Sequence, residues 1–275
     1  MGSKRWTHST CAHFLVRKLH NLLTSKHIRH LCPHSGGVLF LSRNLCLKSS
    51  PTTDLAEAHA LEFIAQYTSV PVPTVHVAFE HKGRVYIVME RIHGANLSHG
   101  WHLRTEASKK KILAQLMSMV EEWRVLPPPE GIGVANVEGG PIFDPRLPRQ
   151  SLWGPFTSVR QFHKELRNGV EEENLTGQAL DELHELVSFH DQAPSVPVFT
   201  HGDLSSLNVL CRGDEIVGIV DWETAGWLPQ YWEYVTAWNV NPQNTFWQQE
   251  IDRFLKPWPQ ALEMEALRRK YFGDF

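Results

Sequence analysis

The stretch His201-Gly202-Asp203-Leu204-Ser205-Ser206-Leu207-Asn208 enters two apolar runs, Val209–Cys211 and Ile216–Val220, and these end in Asp221-Trp222-Glu223. The runs flank a short turn at Arg212-Gly213-Asp214-Glu215, so they pair as a β-hairpin. A hairpin brings the chain back beside its starting point, which sets Asn208 and Asp221 side by side at one open end. An amide oxygen and a carboxylate there form a hard-oxygen site suited to Mg²⁺, which keeps waters and takes its other oxygens from nucleotide phosphates. Asp203 precedes Asn208 on the loop that enters the hairpin and faces the same mouth. A carboxylate in that place can accept the proton of an attacking hydroxyl and aim the oxygen at a γ-phosphorus. His201 is grouped with Asp203 because it can hold the loop by hydrogen bonds, without a proton-transfer role. One Asp in such a turn is usually scaffolding. Three polar positions between apolar strands are harder to explain that way.

The spacing H-G-D-x-x-x-x-N, then a hairpin, then D-W-E, resembles the aminoglycoside phosphotransferase family, which shares the protein-kinase-like fold. The resemblance implies an α+β, bilobal chain with a small β-rich lobe and a larger helical one. It implies Asp203 as catalytic base, Asn208 and Asp221 as metal ligands, and ATP with Mg²⁺ as cofactors. It also implies a Lys on the third strand that contacts the α/β-phosphates and pairs with a helix Glu. Lys48 fits, with Glu57 as its partner and Glu62 as the second choice. Ile87-Val88-Met89-Glu90-Arg91-Ile92-His93-Gly94 resembles the interlobe hinge, where the backbone of Met89, Glu90, Arg91 and Ile92 would meet the adenine edge. The resemblance runs from about Gly36 to Tyr234. Ser69-Val70-Pro71-Val72-Pro73, Met89-Glu90-Arg91 and Asp221-Trp222-Glu223-Thr224-Ala225-Gly226-Trp227 are similar to stretches of fungal members.

The sequence also departs from its relatives. No Gly-x-Gly-x-x-Gly precedes Lys48, and only Gly36-Gly37 is available to cover phosphates. Gly202 stands before Asp203 where protein kinases usually carry the Arg that receives a phosphorylated loop. The stretch from Asp221 to Glu233 is short and no Ala-Pro-Glu follows. The last two features favour a small-molecule acceptor, bearing a hydroxyl or an amine, over a protein acceptor. A pseudokinase-like binding module is the alternative, motivated by the sparse phosphate-covering loop. A metal hydrolase built on His201, Asp203 and Asp221 would need more His ligands than the motif supplies.

The elements that position these groups are legible from periodicity. His13–Leu23 has helical spacing, with Phe14, Leu15, Leu19, Leu22 and Leu23 as its apolar stripe. Val38–Leu41 and Leu45–Leu47 read as a hairpin turning at Arg43-Asn44. Asp54 caps a helix reaching Tyr67, which Val70-Pro71-Val72-Pro73 cannot continue. Thr74–Phe79 and Arg84–Met89 read as strands around Lys82-Gly83. Helices follow at Thr105–Leu126, Ser158–Arg167 and Gly177–Phe189, with a long ordered loop over Gly131–Pro155 and a strand at Val196–Phe199. The divisions are a basic helical segment over 1–35, a nucleotide-covering lobe over 36–92, and a lobe over 93–275 with the catalytic loop, metal site and acceptor pocket. Trp222, Trp227, Tyr231, Trp232, Tyr234 and Trp238 suit core packing better than an acceptor pocket. Glu171-Glu172-Glu173 reads as a solvated run.

The formal charge of the 275-residue chain is −3, so no global basic field argues for nucleic acid. Local charge is uneven. No Asp or Glu precedes Asp54, whereas Lys4, Arg5, Arg17, Lys18, Lys26, Arg29, Arg43 and Lys48 do. The start faintly resembles a transit peptide, but a basic amphipathic helix packed on the small lobe is the better reading. Four cysteines without a C-x-x-C pair point to a reducing, cytoplasmic setting. No apolar run reaches bilayer length, and Trp6 stands where a myristoylation signal needs Ser or Thr. No membrane or nucleic-acid partner is expected.

Overall fold

The computed structural model of the chain describes residues 9–31, 34–35, 37–51, 54–147, 152–171, 180–239 and 245–273. Five antiparallel strands form the small lobe: β1 (His34–Ser35), β2 (Val38–Phe40), β3 (Leu45–Ser50), β4 (Val75–His81) and β5 (Arg84–Glu90), in the order β1-β2-β3-β5-β4. The β4–β5 turn puts Lys82 and Gly83 at φ 53° and 68°, the left-handed geometry a two-residue hairpin turn requires. In β5, Val85 to Met89 are all buried, as befits a strand paired on both sides.

Helix α1 (Thr10–Leu23) lies against β4 and β5. Helix α2 (Ala56–Tyr67) crosses between β3 and β4. Its first turn begins where the Asp54 carboxylate accepts a hydrogen bond from the Ala56 N–H at 2.7 Å. Its stripe of Ala58, Ala60, Leu61 and Ile64 is fully buried, and it stops at Thr68 before the two prolines.

The larger lobe begins with β6 (Ala95–Asn96) and the long α3 (Glu106–Arg124), whose N-cap Thr105 accepts from the Ser108 N–H. It continues through α4 (Val159–Leu166), α5 (Leu180–Gln192), β7 (Val198–Thr200), the hairpin β8 (Val209–Arg212) and β9 (Glu215–Ile219), and β10 (Gly226–Leu228). Helices α6 (Trp232–Trp238), α7 (Thr245–Ile251) and α8 (Pro259–Phe272) close the fold. The expected β8–β9 hairpin forms, with Val209 opposite Ile219. Strand β6 pairs with β8, and β10 pairs with β7.

The loop over 131–155 has no strand or helix among its described residues. It is tied down by isolated bridges, Val134 to Phe156, Ala135 to Trp227 and Ile142 to Trp153. Four tryptophans, Trp123, Trp222, Trp227 and Trp247, are completely buried. Trp123 meets Trp222 edge-on at 5.3 Å between ring centroids, and Phe199 meets Trp227 at 5.2 Å. Truncating a packed aromatic of this kind costs about 3–5 kcal/mol. Trp222, Trp227, Tyr231, Trp232 and Tyr234 are thus core, as expected.

Of the apolar stripe of α1, Phe14, Leu15, Leu19 and Leu22 are exposed. The helix instead faces the sheet with His13, Val16, Arg17, His20 and Leu23: His13 stacks on Phe79, His20 meets Tyr86 edge-on, and Arg17 bonds His81.

Candidate active site

The turn from β7 into the hairpin is held from behind. Glu233, on α6 and almost fully buried, accepts hydrogen bonds from the His201 N–H at 2.7 Å and the Gly202 N–H at 3.0 Å. The Thr224 hydroxyl donates to the His201 carbonyl. Gly202 has φ 81°, and a Cβ there would sit 2.7 Å from the Thr224 carbonyl oxygen, so the loop accepts no side chain at this place.

His201 is completely buried. Its Nδ1 accepts from the Asp203 N–H at 3.1 Å, which leaves Nε2–H to donate to the Val220 carbonyl at 3.0 Å. Burial lowers its pKa although the Glu233 charge opposes this. A neutral ring with both nitrogens occupied is a brace between the catalytic loop and β9, as the sequence suggests.

Asp203 and Asn208 meet directly. The Asn208 Nδ2 donates to the Asp203 carbonyl and to Asp203 Oδ2, each at 2.8 Å. Burial pushes the Asp203 carboxyl up to about 7, with the Asp221 charge adding to it and Arg146 and the Asn208 bond opposing it. A carboxylate poised there can take a proton from an alcohol near neutral pH. The backbone carbonyl of Asn208 accepts from the Val220 N–H, so Asp221 follows directly beside it at the open end of the hairpin.

Lys48, on β3, reaches across to this end. Its ammonium lies 2.8 Å from Glu57, 2.5 Å from Asp221 and 3.1 Å from Glu223. The structure therefore joins Lys48 with Glu57, as expected, and not with Glu62. Burial works against the ammonium, but the three carboxylates outweigh it and hold Lys48 charged, above its ordinary pKa. Burial pushes the Glu57 carboxyl up to about 7; Asp221 and Glu223 push the same way while Lys48 opposes them. One cation faces three acids whose oxygens cluster closely enough to share an ion. That surplus of oxygen-borne negative charge fits a divalent cation such as Mg²⁺.

The hinge is only partly free. Met89 is paired in the sheet on both sides. The Glu90 N–H donates to the Thr74 carbonyl and the Arg91 N–H to the Asn44 carbonyl, both at 2.9 Å. The Glu90 carboxylate accepts from the Thr74 hydroxyl at 3.1 Å, and the Arg91 guanidinium lies over Phe40 at 4.0 Å. Their backbone donors are thus spent within the small lobe, and Ile92 is the first hinge position beyond them. Glu90, Arg91 and Ile92 line a cavity of about 370 Å³ with Asn44, Pro71 and Val217, and it shares no lining residue with the Lys48 and Asp203 cluster. Gly36 of the expected phosphate cover lies outside the described residues; Gly37 precedes β2 in a turn. Of the acidic run, Glu171 pairs with Lys164 at 2.7 Å, and 172 and 173 lie outside the described residues.

Three residues went unassigned in the sequence. Glu223 stood in view within Asp221-Trp222-Glu223. Glu233 could have been suspected as an acid inside a run of aromatics. Arg146 had no local signal. It comes from the 131–155 loop, is clamped by Asp144 at 2.7 and 2.9 Å, bonds the Gly202 carbonyl and approaches Asp203 Oδ1 at 3.7 Å.

A model of the phosphotransferase enzyme family, APH, matches residues 43–270. The match reaches through α7 and α8, beyond the Tyr234 limit read from motifs. No curated protein matches. Among solved structures, aminoglycoside phosphotransferase APH(4)-Ia is 17% identical, covers 95% of this chain and 88% of its own, and superposes with a TM-score of 0.59. A thermostable mutant of that enzyme in ternary complex with ADP and hygromycin B is 16% identical, with coverage of 86% and 81% and a TM-score of 0.59. The streptomycin-ATP-APH(2")-IIa ternary complex is 11% identical, with coverage of 96% and 97% and a TM-score of 0.50. Likeness at these identities establishes the protein-kinase-like bilobal fold, and the family match establishes the rest: this chain belongs to the phosphotransferase enzyme family and is a kinase-like transferase.

Proposed function

We propose that the chain transfers the γ-phosphate of ATP to a hydroxyl or amine of a small molecule, with Asp203 as the base. The observation that carries this reading is the Asp203 carboxyl, half-buried, bonded to Asn208 and close enough to Asp221 of the Lys48, Glu57 and Glu223 cluster to feel its charge. In this reading residues 36–92 cover the nucleotide and residues 93–275 carry the chemistry and the acceptor. Lys48, held by Glu57, contacts the phosphates. Ile92 offers its backbone to adenine, Glu90 and Arg91 having spent their N–H groups. His201 and Glu233 keep the loop rigid, and Asp203 takes the proton of the acceptor oxygen or nitrogen as its bond to phosphorus forms.

Asn208 and Asp221 would hold Mg²⁺, with oxygens of Glu57 and Glu223 close enough to Asp221 to share an ion with it. Bound there, the ion supplies charge neutralisation for the phosphates. Neighbours with the same fold are described as bound to ADP with hygromycin B or to ATP with streptomycin, which supports a nucleotide and a small acceptor. The buried free cysteines Cys46 and Cys211 suit a reducing, cytoplasmic setting.

The test is ATP turnover by the purified chain across a panel of small hydroxyl and amine compounds, with Asp203→Ala as control. Turnover on at least one acceptor, lost in the variant, is expected. Equal turnover by the variant would remove Asp203 as base. Absence of any thermal stabilisation by millimolar Mg²⁺-ATP would favour a binding module instead.

A further inference from the structure

Helix α1 sits on the small lobe with its apolar face turned outward. Phe14, Leu15, Leu19 and Leu22 are 51%, 64%, 37% and 53% exposed. At 100° per residue these four fall within one arc, and Lys18 lies inside that arc, its ammonium 5.5 Å from the Phe14 ring. The opposite face is committed to the sheet: His13 stacks on Phe79 at 4.1 Å, His20 meets Tyr86 at 5.3 Å, and Arg17 bonds His81 at 2.7 Å. The helix cannot roll its leucines inward without breaking these contacts.

The surroundings of the stripe carry one sign of charge. Lys18, Lys26 and Arg29 are exposed on or just beyond the helix. No Asp or Glu occurs before Asp54. On the neighbouring strand β4, Phe79 and His81 meet α1, so Glu80, between them, belongs to the other side of the sheet. The family match begins at residue 43, after α1.

We propose that the outward face of α1 is a docking surface for an anionic lipid bilayer, the helix lying in the plane of the interface. Aromatic and leucine side chains enter the headgroup boundary while Lys18, Lys26 and Arg29 meet lipid phosphates and carboxylates. A second copy of this chain fits worse. A two-fold pairing would set Lys18 and its basic neighbours against themselves, and four side chains offer far less than the roughly 800 Å² per partner that a stable interface buries. The absence of a long apolar run argued against a span, but an interfacial helix needs none.

The experiment is vesicle flotation of the full chain, with phosphatidylcholine alone and with roughly one-third phosphatidylserine added. Binding to the anionic vesicles at least about tenfold above the neutral ones is expected, with loss at about 0.5 M salt. The pair Leu15→Glu and Leu19→Glu, and separately Lys18→Glu, should each cut the bound fraction about tenfold or more, with thermal stabilisation by nucleotide unchanged. All three positions are exposed, so the fold should survive. No binding to anionic vesicles, equal binding by the variants, or equal binding to neutral vesicles overturns the proposal. So does a dimer mass in solution that the leucine pair converts to monomer, which would assign the face to a second copy.

Discussion

Replacing Glu233 by Gln removes one negative oxygen from behind the catalytic loop and changes little else in shape. In the native chain the two carboxylate oxygens each accept one backbone N–H, from His201 at 2.7 Å and Gly202 at 3.0 Å, at a site 1% exposed. The amide keeps one acceptor and turns an NH₂ toward the other N–H. The retained bond loses its charge assistance, about 1 kcal/mol, and the second N–H is left buried without a partner, about 1–3 kcal/mol. The sum is a loss of roughly 2–4 kcal/mol, which for a chain of this size lowers Tm by about 3–7 °C. The freed loop also carries Asp203, so turnover at saturating ATP should fall about tenfold or more. Differential scanning fluorimetry and steady-state turnover read the two effects. A Tm within about 1 °C of the parent, with unchanged turnover, would refute the assignment of Glu233 as the loop's anchor.

As the proposed base, the Asp203 carboxyl, at about 7 in the folded chain, would have to be ionised, so kcat/KM should fall with slope one as pH drops through about 7; a flat profile down to pH 5 would contradict it. Folding favours the protonated form of that group, so its contribution to stability is complete below its ordinary value of 3.8 and is lost as pH rises through about 7. Lys48→Met should leave Glu57, Asp221 and Glu223 without their cation and cost about 3 kcal/mol in chelator, with millimolar Mg²⁺ restoring part of the Tm; a variant as stable as the parent in chelator would disprove the cluster. His163 is held near 3 by burial, its Nδ1 donating to the His190 carbonyl and its Nε2 accepting from the Tyr231 hydroxyl. The neutral ring stabilises the fold fully above about pH 6.5, and this is lost as pH falls toward 3; urea midpoints measured across that range should decline in the parent and decline less in His163→Gln.

The catalytic loop and hairpin were legible because their geometry is local. A turn between two β-rich runs dictates that the chain returns beside its start, and the structure pairs Val209 with Ile219 and bonds the Val220 N–H to the Asn208 carbonyl accordingly. Lys48 with Glu57 was legible only through the family, since the chain alone offers no reason to prefer Glu57 over Glu62. Glu233 and Arg146 were hidden because each reaches the loop through tertiary packing: one from a helix beyond the hairpin, the other from a Pro- and Gly-rich loop with no periodicity. Which face of α1 meets the sheet was hidden for a related reason. Periodicity identifies which residues share a face, but whether aromatic His contacts outcompete leucines for the sheet depends on Phe79 and Tyr86, which lie far along the sequence. That the Glu90 and Arg91 N–H groups bond within the small lobe was not legible, because it depends on Thr74 and Asn44, which lie far along the sequence.

Asp221 has φ 66°, a left-handed backbone that only Gly, Asn and Asp adopt at small cost. The chain therefore selects its residue here twice, once for an oxygen donor and once for a sharp change of direction out of β9. An alanine scan through this position conflates the two, since Ala adds about 1–2 kcal/mol of conformational strain to the missing ligand. Asparagine keeps the bend and removes only the charge, and glycine keeps the bend and removes the side chain. The difference between those two replacements isolates what the side chain itself contributes to holding a metal nucleotide.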